Sequence, residues 1–278
     1  MDTLHVGPLE VIFHRTVRVA DDKLSNLPPS LGDLPIHGGL SGKEDDNCFL
    51  ALHDNEALWL DFSVGLPVAV MIGAGGVNAL TGEPMTEELH EGNYLVTPPQ
   101  PWLDGWKGQD GSVYQFVATP YKKGKGLSVA EQLLGEEASS ELEIIVFESK
   151  DPNLIMVSKP QEICGTDPYE LCNGLVDSNS FDYKTCTPMG IGKGGKITQK
   201  VYPDPYGIDA WKSKCTSKVK VEIANAVQYA KKMGHELPPL PKSVEEYIGN
   251  WFNVKDQEMN DVKGSTHFDK LSCTNTQI

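Results

Sequence analysis

From residue 9 to residue 19 the chain reads Leu-Glu-Val-Ile-Phe-His-Arg-Thr-Val-Arg-Val, and apolar and polar side chains alternate. Leu9, Val11, Phe13, Val17 and Val19 fall on one side; Glu10, His14, Thr16 and Arg18 fall on the other, with Ile12 and Arg15 out of step. A period of two is that of a half-buried strand. Shorter apolar runs at 57–62, 68–72, 112–118, 142–147, 154–157 and 197–202 predict further strands. Residues 21–47 read as a long Pro/Gly/Asp loop, and Gly73-Ala-Gly-Gly76-Val-Asn as a hairpin turn.

Helical signals are fewer. Ser128 followed by Glu131 makes a capping box for a short helix over 129–134, and Gly135 ends it. Val219, Ile223, Ala226, Val227 and Ala230 lie at helical spacing and predict the one sizeable helix, closed by Lys231, Lys232 and Gly234. Short helices are expected over 86–91 and, from Ser243 with Glu246 as its box, to about Trp251. Seven or eight strands against so little helix predict a mainly β protein: a β-sandwich or jelly-roll-like core with helical additions. The expected organisation is a single β-rich domain over 1–278, with 150–160 as the candidate subdivision, because the charge balance changes there.

Composition sharpens this picture. The chain has 278 residues with 27 Gly and 19 Pro, a globular, turn-rich balance. Its net charge is −15, which disfavours nucleic acid and anionic membranes as partners. That charge is uneven: residues 1–150 hold 9 Lys/Arg against 23 Asp/Glu, whereas 184–220 hold eight Lys against Asp204 and Asp209. An acidic face meeting this basic stretch on another copy is one reading; solvated loops without a partner are the other. No apolar segment is long enough to span a membrane, and the N-terminus carries no basic, then apolar leader, so the default expectation is a cytosolic protein.

Candidate chemistry is sparse. Met189-Gly-Ile-Gly-Lys-Gly-Gly-Lys196 departs from a phosphate-binding loop, since Ile197 takes the Ser/Thr place and a strand is expected to follow. The seven His form no metal-binding pair, no Gly-x-Ser-x-Gly is present, and Asp177–Asp182 lacks the Gly and Glu of a calcium loop. No cofactor and no metal are expected, and the absence of a catalytic motif gives a non-enzymatic reading.

Two aromatic segments stand out. Pro98–Trp106 carries Trp102 and Trp106 as a ligand platform, a protein-contact anchor or a packing loop; Tyr202–Trp211 gathers Tyr202, Tyr206 and Trp211 with two Asp. Structurally, the latter reads as buried aromatics whose carboxylates cap backbone N–H groups. These five aromatics, with Lys193, Lys196 and Lys200, are the candidates for assembly or ligand contact. Six cysteines, Cys48, Cys164, Cys172, Cys186, Cys215 and Cys273, lie mostly in polar, turn-rich surroundings. They are read as accessible and as disulfide or cross-link candidates, with unpaired thiols as the alternative. Cys273, in a polar tail, is the leading candidate for a bond between copies.

Phe13–Val19, Asn78–Pro84, Pro101–Gly105, Gln115–Ala118 and Asp204–Trp211 resemble boxes of an uncharacterised family of bacterial and fungal proteins. The resemblance runs from about residue 8 to 252. The bacterial relatives are poor in cysteine; six cysteines make this chain similar to the family's crystal-forming proteins from the vacuoles of zygomycete fungi. That resemblance implies a self-assembling structural protein, a vacuolar location, disulfides between copies and a sedimentation role in gravity sensing. It carries over no catalytic residues. Three functions follow as expectations: a self-assembling structural protein, a small-ligand or glycan-binding sandwich using Trp102 and Trp106, and a hydrolase whose site is assembled from distant residues.

Overall fold

The computed structural model describes residues 2–38, 48–157, 185–242, 244, 246, 247 and 261–274. Two β-sheets pack face to face. The first runs β1 (Leu4–Val6), β2 (Leu9–Thr16), β7 (Ala57–Val64), β13 (Val113–Pro120), β15 (Met189–Ile197), β3 (Leu24–Ser25). Short strands extend it: β4 (Ser30–Asp33) on β2, β11 (Trp102–Leu103) on β7 and β12 (Gly105–Lys107) on β13. The second runs β10 (Leu95–Thr97), β8 (Val68–Ala74), β14 (Leu142–Glu148), β16 (Ser217–Asn225), β6 (Cys48–Leu52), β5 (Ile36–Gly38), with β9 (Val77–Asn78) on β8. Pairing is antiparallel except for β15 with β3 and β16 with β6. The protein is a mainly β sandwich.

One apolar core lies between the sheets. Leu9, Val11 and Phe13 of β2 enter it beside Leu58, Leu60 and Phe62 of β7, facing Val68, Val70 and Ile72 of β8 and Val219, Val221 and Ile223 of β16. The alternation in β2 is therefore the alternation between this core and the outer face. The central strands are also covered outside. Ala69 and Met71 of β8, with Ile145 and Phe147 of β14, pack under Trp211 and Tyr94 in a second cluster. This explains why β8 reads as continuously apolar.

Local signals hold where they are self-contained. The Ser128 side chain accepts the Glu131 backbone N–H at the start of α1 (Val129–Leu134), and Gly135 caps its end at φ 60°. Gly75 and Gly76, at φ 65° and 89°, turn β8 into β9. Elsewhere the expectations need correction. The helix expected from Val219 is a strand to Asn225; only Ala226–Met233 is helical (α2). Val221 is buried between Lys220 and Glu222, a period of two that the helical stripe had skipped. The strand expected at 197–202 ends at Ile197 and begins at Met189, so the glycine cluster is itself a strand. Residues 86–91 and 154–157 form turns and irregular chain, and β3, β4 and β5 occupy part of the expected 21–47 loop. The expected capping box at Ser243, and Asp177–Asp182, lie outside the described residues.

Candidate functional site

Strand β15 carries glycine because other segments of the chain cross it at close range. A Cβ on Gly195 would stand 2.1 Å from the Ala20 carbonyl oxygen, and one on Gly192 would stand 2.2 Å from the Thr274 methyl. Thr274 belongs to the C-terminal segment Asp261–Thr274, which lies along β15 and β12: Lys193 bridges to Cys273, and Gly108 to Ser265. Phe268 of this segment is fully enclosed in the main core, its ring 5.3 Å from that of Trp106.

Three buried cations hold the segment. Lys107 is completely enclosed, and its Nζ donates to Asp261 Oδ2 at 2.7 Å and to the Gly111 carbonyl at 2.7 Å. Lys193 Nζ donates to the Phe268 carbonyl at 2.9 Å and sits 4.5 Å from the centre of the Tyr114 ring. Arg18 donates to the carbonyl of Thr274 at 3.1 Å and to Asp21 at 2.7 Å. A buried charge persists only with such partners. Burial lowers the Lys107 and Lys193 ammonium pKa values; Asp261 opposes the shift at Lys107, and Cys273 and Asp269 oppose it at Lys193.

An open pocket of about 500 Å³ is lined by Gln109, Asp110, Tyr114, Lys196 and Asp269. Its polar groups are paired with each other: Lys196 donates to Asp110 at 2.6 Å and the Tyr114 hydroxyl to Asp269 at 2.7 Å. Burial and the Asp269 carboxylate push the Tyr114 phenol up to about 12. At Asp110 burial acts upward, but hydrogen bonds from Lys196 and Ser112 prevail and bring its carboxyl down to about 2.

The aromatic candidates separate. Trp106 is a core residue with its Nε1 donating to the Gly192 carbonyl at 3.1 Å, whereas Trp102 lies half-buried on the outer face. The two therefore form no common platform, because β11 and β12 turn them to different sides of the sheet. Trp102 instead meets Trp59 edge to face at 6.4 Å, and Trp59 stacks on His14 at 4.1 Å. His14 Nδ1 lies 3.1 Å from Asp33 and 3.0 Å from Ser30 Oγ; burial lowers its pKa against the pull of Asp33. His14 Nε2 and Trp59 Nε1 are buried without a hydrogen-bond partner. This cluster has no sequence signature: the register of β2 with β7, His14 opposite Trp59, creates it.

Tyr202 and Trp211 are buried, and Tyr206 is half-buried. Asp204 accepts the Trp211 indole N–H and the Tyr94 hydroxyl, each at 2.7 Å, and the Tyr206 backbone N–H at 2.8 Å. These are the contacts of the structural reading. The Asp204 side raises the Tyr94 phenol, after burial, which is the larger cause. Lys200 is half-buried, its carbonyl accepting from Gln100 at 3.3 Å.

The cysteines are less accessible than expected. Cys48 and Cys186 are buried, since Cys48 points into the core from β6 and Cys186 packs against Phe49 and Tyr229. Cys215 and Cys273 are partly exposed; Cys164 and Cys172 lie outside the described residues. Among the described residues no disulfide forms. Burial raises the thiol pKa of Cys186 and Cys273; at Cys273 Asp21 adds to the rise, and Lys193 and Arg18 oppose it. Cys273 is thus docked on β15 rather than carried on a loose tail.

Among the described residues no group of three or more His, Cys, Asp or Glu side chains is arranged to hold a metal, and no helix is long and apolar enough to cross a membrane. The architecture defines a two-sheet sandwich clamped by its own C-terminal segment. No protein-family model matches the chain, and neither a curated protein nor a solved structure matches it significantly.

Proposed function

We propose that the protein is a non-enzymatic structural protein that assembles with copies of itself into dense crystals or bodies. On this reading it is similar to OCTIN, the protein that forms crystals in the vacuoles of zygomycete fungi, where sedimentation of the crystals serves gravity sensing. The observation that carries the reading is the charge: −15 at pH 7 with a pI of about 4.8. Such a charge keeps copies apart at neutral pH, and an acidic compartment near the pI removes the repulsion. Cys273, a partly exposed thiol, is the position from which a disulfide between copies forms in a non-reducing compartment.

Light scattering from pH 4 to 8, with reducing and non-reducing gels, tests this. Large particles are expected at pH 5 under oxidising conditions, dispersing above about pH 6 and on addition of a thiol reductant. A monomer at pH 5 without reductant overturns the proposal.

The Trp59–Trp102 cluster favours a second reading, a small-ligand or glycan-binding sandwich. Two half-buried indoles on the outer face beside carboxylates suit a sugar ring, and the buried Trp59 and His14 nitrogens lack hydrogen-bond partners. A glycan that shifts Trp fluorescence in the wild type but not in Trp102→Ala supports it; no response across a glycan panel sinks it.

A further inference from the structure

Helix α2 is followed by Leu237-Pro238-Pro239-Leu240-Pro241, a segment that neither reading above uses. Proline holds its own φ at about −65° and pushes the residue before it into extended backbone. Leu237 to Pro241 are thereby set toward the polyproline II conformation, and residues 235–242 carry neither helix nor strand. That conformation turns once in about three residues and rises about 3.1 Å per residue. Burial repeats with the same period. Pro238 and Pro241 are half-buried, whereas Leu237 and Leu240 are 57% and 74% exposed, with Pro239 exposed between them. The two leucines therefore share one edge, about 9 Å apart.

The backbone of this segment is anchored to the sandwich. The His235 N–H donates to the Ala230 carbonyl at 2.9 Å, and the His235 ring meets Tyr229 edge to face at 6.1 Å. His53 Nε2 lies 3.1 Å from the Pro238 carbonyl oxygen, and the Arg18 N–H donates to the Lys242 carbonyl at 2.9 Å. Neither leucine joins an apolar cluster among the described residues. A stiff, anchored segment has little freedom left to lose, so a partner that binds it meets a small ordering cost.

We propose that Leu237–Pro241 is a docking segment for a protein module of the SH3 class. Such a module reads polyproline II segments in a groove lined by aromatic rings, with neighbouring pockets that each take a hydrophobic residue and the proline after it. Leu237-Pro238 and Leu240-Pro241 are two such pairs one turn apart, and Pro239 is the spacer. The exposed leucines, with the exposed parts of the prolines beside them, are what the pockets meet. No movement of the chain is required. The inference is independent of self-assembly, and its test is run at pH 7, away from the acidic conditions of that reading.

The full chain is titrated into a fluorescently labelled SH3 domain selected for Leu-Pro-x-Leu-Pro ligands, and separately into a labelled WW domain, with anisotropy as the readout. Saturable binding to the SH3 domain is expected. Leu237→Ser with Leu240→Ser should weaken it about tenfold or more, the change that burial of a single leucine side chain carries. Its melting temperature should match that of the wild type, because both side chains are exposed. A synthetic peptide of residues 235–242 should displace the wild-type chain, a readout that does not depend on how the variant folds. Absence of saturable binding overturns the proposal, as does binding that the double variant retains or that the peptide fails to displace. Binding to the WW domain alone overturns the SH3 assignment.

Discussion

Phe268 and Gly195 show how single residues close this fold. Phe268 brings a large apolar ring into the core from a segment otherwise held by polar contacts. Phe268→Ala is expected to cost about 3–5 kcal/mol, by analogy with other buried aromatics, and denaturant unfolding measures it; a loss below about 1 kcal/mol would show that the C-terminal segment is not integral to the core. Gly195→Ala forces a methyl against the Ala20 backbone carbonyl, which cannot swing aside as a side chain could, and should cost roughly 1–3 kcal/mol as overpacking. Neither role is legible in the sequence. The glycine run looks like a loop because the atoms that forbid side chains there come from residues 20 and 274, far along the chain. Tyr114 adds a titration: its pKa is raised, so the neutral phenol is the form the fold favours. That contribution is complete below the ordinary phenol value of about 10 and is lost as pH rises through about 12. Stability should therefore fall above pH 10, and ultraviolet titration of the phenols should lose one group, not all, from its high-pH component in Tyr114→Phe, since the Tyr94 phenol is raised as well.

At the scale of elements, legibility follows locality. Helix α1 is specified within eight residues: a serine cap, a glutamate whose carboxylate accepts from the serine hydroxyl at 2.7 Å, and a terminal glycine. The hairpin at Gly75-Gly76 is equally self-contained. Strand β16 is not. Its residues satisfy a helical stripe and a strand alternation at once, and the outcome is set by pairing with β14 and β6 on either side. The Trp59–His14 contact likewise depends on a register no local pattern encodes. Because α1 also presents Gln132 to Ser272, its cap bears on the C-terminal segment. Ser128→Ala is expected to lower stability by about 1 kcal/mol, while Ser128→Thr, which keeps the hydroxyl that accepts from the Glu131 N–H and donates to its carboxylate, restores a measurable part of it. An unchanged melting temperature in Ser128→Ala would mean that packing alone sets the helix.

For the whole molecule, part of the uneven charge is matched inside one chain. Lysines of the basic stretch pair with carboxylates of the acidic half: Lys196 with Asp110, Lys212 with Glu148, Lys218 with Glu87. The sheets bring these sequence-distant segments side by side, so these three lysines already have acidic partners within the chain. On the self-assembly reading, the net charge of −15 then acts between copies. This distinguishes two kinds of association by salt. If acidic faces met basic ones, added salt would dissolve the particles, because the screening length shrinks from about 10 Å at 0.1 M to about 3 Å at 1 M. If like-charge repulsion is the brake, salt screens the repulsion instead. The expected outcome is that particles formed at pH 5 persist as salt is raised, and that salt alone promotes association at pH 7, both read by light scattering. Dissolution by salt at pH 5 would instead assign the contacts to opposite charges on different copies.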